Sequence, residues 1–120
     1  MDNRISFQIG EGRTEVQLEV NVIGEDYLVT ITGGKEHIGA VGTGAFHEES
    51  GRGYSSVIAF PGHKDDRLAK KSSEEIAKKV KKNVVVVSGF HLENITPSEI
   101  DKVMKNTKKA VSRFISFIES

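Results

Sequence analysis

The sequence predicts an α+β fold: a six-stranded, mostly antiparallel sheet in the order β-β-β-β-β-α-β-α, with two helices packed on one face. Three observations lead there. The first half alternates apolar and polar residues with the period of a half-buried strand, most cleanly at Val16, Leu18, Val20 and Val22. Two later segments carry apolar residues at helical spacing. Between them Val84-Val85-Val86-Val87 is apolar at both parities, as a central strand covered on both faces reads.

Each element follows from local chemistry. Ile5, Phe7 and Ile9 alternate with Ser6 and Gln8 to make the first strand, and Gly10-Glu11-Gly12 turns the chain into the second. Gly24-Glu25-Asp26 turns it again into a third strand, Tyr27 to Thr32, rich in β-formers. These three strands form an antiparallel meander with one polar face. Gly33-Gly34 breaks it, and His37 to Val41 reads as a weaker fourth strand softened by Gly39. The stretch from Gly42 to Gly53 carries four glycines and reads as a mobile loop. It is no dinucleotide fingerprint, because no helix follows and the third glycine is missing.

Tyr54 to Phe60 forms the fifth strand, closed by Pro61-Gly62. A helix from about Asp65 to Lys82 places Leu68, Ala69, Ile76, Ala77 and Val80 on one face, with Ser72 and Ser73 completing the stripe. After the sixth strand, Thr96-Pro97-Ser98-Glu99 is a helix start: Thr96 caps, Pro97 takes the first helical position and Glu99 closes a capping box. The last helix sets Ile100, Val103, Met104, Val111, Phe114, Ile115 and Ile118 at helical spacing. The fifth strand, first helix and sixth strand form one crossover that makes the two strands parallel.

At 120 residues the chain reads as a single domain over 1–120. It contains no cysteine, which excludes disulfides, a thiolate nucleophile and a cysteine zinc site. No apolar run approaches the ~18 residues of a membrane span, and Met1-Asp2-Asn3-Arg4 lacks a basic-then-apolar leader. A cytoplasmic protein without membrane contact is expected. Net charge is zero but uneven: residues 1–60 hold 4 Lys+Arg against 9 Asp+Glu, and residues 61–120 hold 13 against 8. The basic excess falls on the two helices, whose aromatics, Phe114 and Phe117, lie in the apolar stripe. A nucleic-acid surface needs aromatics interleaved with the charge, so the lysines read as solvated helix faces.

Three of the four histidines sit where strands meet glycine turns, at Gly33-Gly34-Lys35-Glu36-His37, Pro61-Gly62-His63-Lys64-Asp65 and Ser88-Gly89-Phe90-His91-Leu92-Glu93-Asn94. With the fifth and sixth strands parallel, His63 and His91 emerge at one sheet edge, each before a helix N-terminus. His37, opening the fourth strand, joins them. Such an edge suits an anion: two helix N-termini, Lys64, and glycines that admit a ligand to the backbone. The candidate ligand-binding residues are Gly33, Gly34, His37, His63, Lys64, Asp65, His91 and Asn94. Asp65 doubles as a helix cap, and His47 reads as a plain turn residue. Three histidines also match the nitrogen count of a catalytic zinc site, but no H-x-H or H-x-x-x-H spacing supports one, so no tightly held metal is expected.

These glycine-histidine segments, with Val84-Val85-Val86-Val87 and Ile95-Thr96-Pro97, resemble a small archaeal and bacterial family. It comprises the LpdD-like prenylated-flavin chaperones, the D subunits of hydroxyarylic acid decarboxylase operons, which are similar in fold to proteasome assembly chaperones. The resemblance spans nearly the whole chain. It implies a non-catalytic accessory module that binds prenylated flavin mononucleotide and helps this cofactor reach, or mature in, its partner, the large subunit of a prenyl-flavin-dependent decarboxylase. A histidine-assisted hydrolase or lyase, and a purely structural interaction module, remain the alternatives. The apolar sixth strand and Leu28, Ile58 and Phe60 call for more cover than two helices give, so a homo-oligomer is expected.

Overall fold

A computed structural model describes residues 4–60 and 66–119. Its elements are β1 (Arg4–Ile9), a 3₁₀ turn (Gly12–Thr14), β2 (Val16–Ile23), β3 (Asp26–Gly34), β4 (Ala40–His47), β5 (Arg52–Ala59), α1 (Asp66–Val80), β6 (Val84–His91) and α2 (Pro97–Glu119). The strands form one six-stranded sheet in the order β1-β2-β3-β6-β4-β5. The α+β class, the element order and the mostly antiparallel sheet are those the sequence predicts.

Three details differ. First, β5 and β6 do run the same way, since both pair antiparallel to β4, but β4 lies between them. The parallel partner of β6 is β3, in register Tyr27↔Val84 through Gly34↔His91. Second, the expected mobile loop is largely strand: β4 runs to His47 and β5 starts at Arg52. Glycines occupy β4 because α1 lies against it. A Cβ on Gly42 would come within 2.5 Å of the Ala69 carbonyl oxygen, and one on Gly44 would strike that of Ser73. Close helix approach, rather than flexibility, selects glycine there. Third, His37 does not open β4, which begins at Ala40.

The helices cover one face. Val16, Leu18, Val20, Val29, Ile31, Val84 and Val86 meet Leu68, Ile76, Ala77, Val103, Ala110, Val111, Phe114 and Ile115 in a single core. Phe114 is fully buried and stands edge-on to Tyr27, with ring centroids 5.3 Å apart. Ile100 and Met104 depart from the expected α2 stripe: both are exposed, at 47% and 37%. They lie in the first turns of α2, away from the packed centre of the helix.

Among the described residues no helix covers the other face. Paired residues in a sheet share a face, so Leu28, Val85, Thr43 and Ser56 form one row there, and Thr30, Val87, Val41 and Ile58 the next. Ile58 is 72% exposed and Tyr54 53%. A concavity of about 490 Å³ opens among Ile23, Leu28, Ala45, Tyr54 and Val85. Over β3, β6, β4 and β5 the uncovered face mixes apolar Leu28, Val85, Val87, Val41, Ile58 and Tyr54 with the hydroxyls of Thr30, Thr43 and Ser56, and it is polar over β1 and β2, where Ser6, Gln8, Gln17 and Glu19 lie. No helix among the described residues is long and apolar enough to cross a membrane.

Candidate functional site

Strand direction brings the ends of β3, β5 and β6 to one edge of the sheet, with the start of β4 among them. The segment between β3 and β4 is pinned across this edge. The Lys35 amide donates to the His91 carbonyl at 2.9 Å, the Gly39 amide to the Ser88 carbonyl at 2.8 Å, and the Phe60 amide to the Gly39 carbonyl at 2.9 Å. As a result His37, half-buried, and His91, exposed, come together with ring centroids 6.3 Å apart and planes tilted by 59°. The gathering of these two histidines at one edge agrees with the sequence reading. His63, Lys64 and Asp65 lie outside the described residues.

The glycines serve a different purpose from the one expected. Gly34 has φ +59, and a side chain there would strike the His91 carbonyl. A Cβ on Gly89 would collide with the His37 carbonyl oxygen and lie 3.3 Å from its Nδ1. A Cβ on Gly33 would strike the Phe90 ring. At all three positions the missing side chain admits another part of this chain. Glycine here builds the histidine pair by letting the 35–39 segment lie on the end of β6.

The two layers separate the histidines from α2. Gly89 follows Val85 and Val87 on the uncovered face, so the His37 segment lies over that face. The N-terminus of α2 is already occupied. The Thr96 hydroxyl accepts from the Glu99 amide at 3.1 Å, and Glu99 Oε1 accepts from the Thr96 amide at 3.0 Å, completing the capping box. Arg13 donates to Glu99 Oε2 at 2.8 Å and to the Glu93 carbonyl at 2.8 Å. The Arg13 hydrogen bond, followed by that of the Thr96 amide, holds the Glu99 carboxyl at about 2, well below the ordinary carboxylate range. A carboxylate thus fills the end of α2 that was expected to receive an anion. Arg13 carried no sequence signal, because its partner lies 86 positions away.

Asn94 is exposed with φ +53, a left-handed turn residue leading toward Thr96. His47 ends β4, with its Nδ1 3.3 Å from the Ser50 hydroxyl and its ring edge-on to Tyr54, as a turn histidine should be. Gly33 and Gly34 also border a shallow depression of about 540 Å³ that includes Arg13, Glu15, Glu36 and Leu92. Among the described residues, no group of three or more His, Asp or Glu side chains is arranged to hold a metal.

Comparison with known proteins agrees with this architecture. The chain is 27% identical to the protein LpdD of Lactiplantibacillus plantarum, over 96% of this chain and 85% of that protein. Its fold superposes with TM-score 0.64 on a chain from the crystal structure of a chaperone complex for yeast 20S proteasome assembly. That match covers 96% of both chains at 15% identity, a likeness of fold alone. The model of the prenylated flavin chaperone LpdD-like domain matches residues 10–119, and the chain belongs to that family.

Proposed function

We propose that this protein is a cytoplasmic, non-catalytic accessory chaperone. In this reading it binds the phosphate of prenylated flavin mononucleotide at the histidine edge and assists the large subunit of a prenyl-flavin-dependent decarboxylase. The family match over residues 10–119 supports a chaperone-like accessory role. The observation that carries the site is the pairing of His37 and His91 across the ends of β3 and β6. Gly33 and Gly34 shape that edge and Asn94 borders it. His63, Lys64 and Asp65 follow in sequence the end of β5, and that strand end lies at the same edge. With the α2 N-terminus filled by Glu99, the cationic contribution falls to the histidines, Lys64 and the start of α1.

A homo-oligomer formed through the uncovered sheet face belongs to the same proposal. It would cover Ile58 and Tyr54, and the edge bearing His37 would border the interface.

The test is calorimetric titration of flavin mononucleotide, and of its prenylated form, into wild type and Lys64→Ala. Lys64→Ala should weaken binding by about 1–2 kcal/mol, the scale of one charge-assisted contact. Equal affinity of wild type and Lys64→Ala for each ligand, or no binding at millimolar ligand, would remove the ligand site and leave an interaction module.

A further inference from the structure

The seam between the two helices, on the layer opposite the histidines, forms a second concavity of about 320 Å³. Its lining mixes apolar side chains, Leu68 of α1 with Met104 and Val111 of α2, with the buried hydroxyl residues Ser72 and Thr107. Helical spacing assigns Met104 to the core, yet it is 37% exposed, and Ile100, one turn earlier, is 47% exposed. Apolar side chains at core spacing are therefore left open to solvent beside the groove.

The rim is cationic. Lys71, Lys105 and Lys108 border the groove against the carboxylates of Glu75 and Asp101. On the adjoining slope Lys102, Lys105, Lys108 and Lys109 share a depression of about 520 Å³ with Glu75 as its one carboxylate. Among the described residues none of these five lysines makes an ion pair. The five lysines outnumber the two carboxylates beside them, Glu75 and Asp101, so a partner bearing carboxylates gains attraction without first breaking close ion pairs among the described residues.

We propose that this seam docks an acidic amphipathic helix of a partner protein. Charge alone would suit any polyanion. The apolar patch of Leu68, Met104 and Val111 selects a segment with apolar anchors between its carboxylates, and methionine adapts readily to such anchors. The groove spans Leu68 to Glu75 on one side and Asp101 to Val111 on the other. At ~1.5 Å per residue these are about 10 and 15 Å, two to three turns of a bound helix. The inference rests on the partner-binding part of the proposed function, and not on the flavin site.

The test is fluorescence anisotropy with a labelled peptide of about 14 residues, long enough for a helix of that span. It carries leucine at i, i+3, i+4 and i+7 and glutamate on the flanks. Controls are the same peptide with lysine for glutamate, the same peptide with serine for leucine, and a single-stranded oligonucleotide. Wild type should bind the acidic amphipathic peptide at least about tenfold more tightly than any control. Lys105→Glu with Lys108→Glu should weaken binding by about tenfold or more, since two attractive contacts become repulsive. Added salt should weaken it too. If that double variant fails to fold, Lys71→Gln with Lys108→Gln carries the same expectation. Three results would overturn the proposal: no binding at millimolar peptide, unchanged affinity in the folded variant, or equal binding of the serine peptide or oligonucleotide. If the peptide fails while a decarboxylase large subunit still co-elutes with the protein, the groove falls and the partner role stands.

Discussion

Gly89→Ala tests how the histidine edge is built. Gly89 has ordinary strand geometry, so alanine meets no backbone penalty. The added methyl instead strikes the His37 carbonyl, a backbone atom that cannot rotate aside. Relief requires the 35–39 segment to retreat by roughly 2 Å to reach ordinary van der Waals separation. That stretches the Gly39 amide to Ser88 carbonyl bond from 2.8 Å beyond hydrogen-bonding range, with the 2.9 Å Lys35 to His91 bond following. Two such bonds contribute about 1 kcal/mol each, and overpacking adds about 1–3 kcal/mol. The stiffer unfolded chain returns about 0.4–1 kcal/mol. The net loss is about 2–4.6 kcal/mol, read by urea unfolding monitored by circular dichroism. Gly24→Ala is the control, because its Cβ meets nothing within 4 Å and only φ +62 opposes it, at about 1–2 kcal/mol. Proton NMR should also show the His37 and His91 ring resonances moving in Gly89→Ala and staying still in Gly24→Ala. A loss below about 0.5 kcal/mol for Gly89→Ala, the range of an unremarkable surface change, would refute the packing argument.

Three further outcomes are expected. Phe114→Ala, which empties a fully buried ring site and removes the edge contact to Tyr27, should cost about 3–5 kcal/mol in chemical denaturation. Carbon NMR of the Glu99 carboxyl should show titration near 2, moving up toward the ordinary range in Arg13→Ala but stopping short of it, because the Thr96 amide still donates. Since the folded-state value is depressed, the stabilisation from this carboxylate is present above the ordinary carboxylate range and is lost as pH falls toward 2; an unmoved titration in Arg13→Ala would contradict the assignment. Sedimentation velocity at micromolar concentration should give at least twice the 13.2 kDa chain mass, with Ile58→Asp shifting the protein toward monomer. A wild-type monomer would remove the sheet-face interface.

What the sequence determined by itself was whatever depends on local periodicity and local chemistry. Alternation at Val16 to Val22 made a strand, the run at Val84 to Val87 made a central one, and Thr96 with Glu99 capped α2 as written. The element order and the class followed, because a strand or helix with one apolar face has few ways to bury it. The tertiary structure decided everything that depends on two distant segments touching. Glycines at 42 and 44 read as a loop in one dimension and are strand in three, because α1 presses on them. Gly34 and Gly89 read as room for a ligand and turn out to be room for the chain. The insertion of β4 between β5 and β6 is a long-range pairing that no local pattern encodes. The Arg13–Glu99 bond, which fills the helix end expected to take an anion, joins residues 86 positions apart. Met104 and Ile100 fit the helical stripe yet stay exposed, because periodicity says which side of a helix is apolar and only packing says how much of that side finds a neighbour.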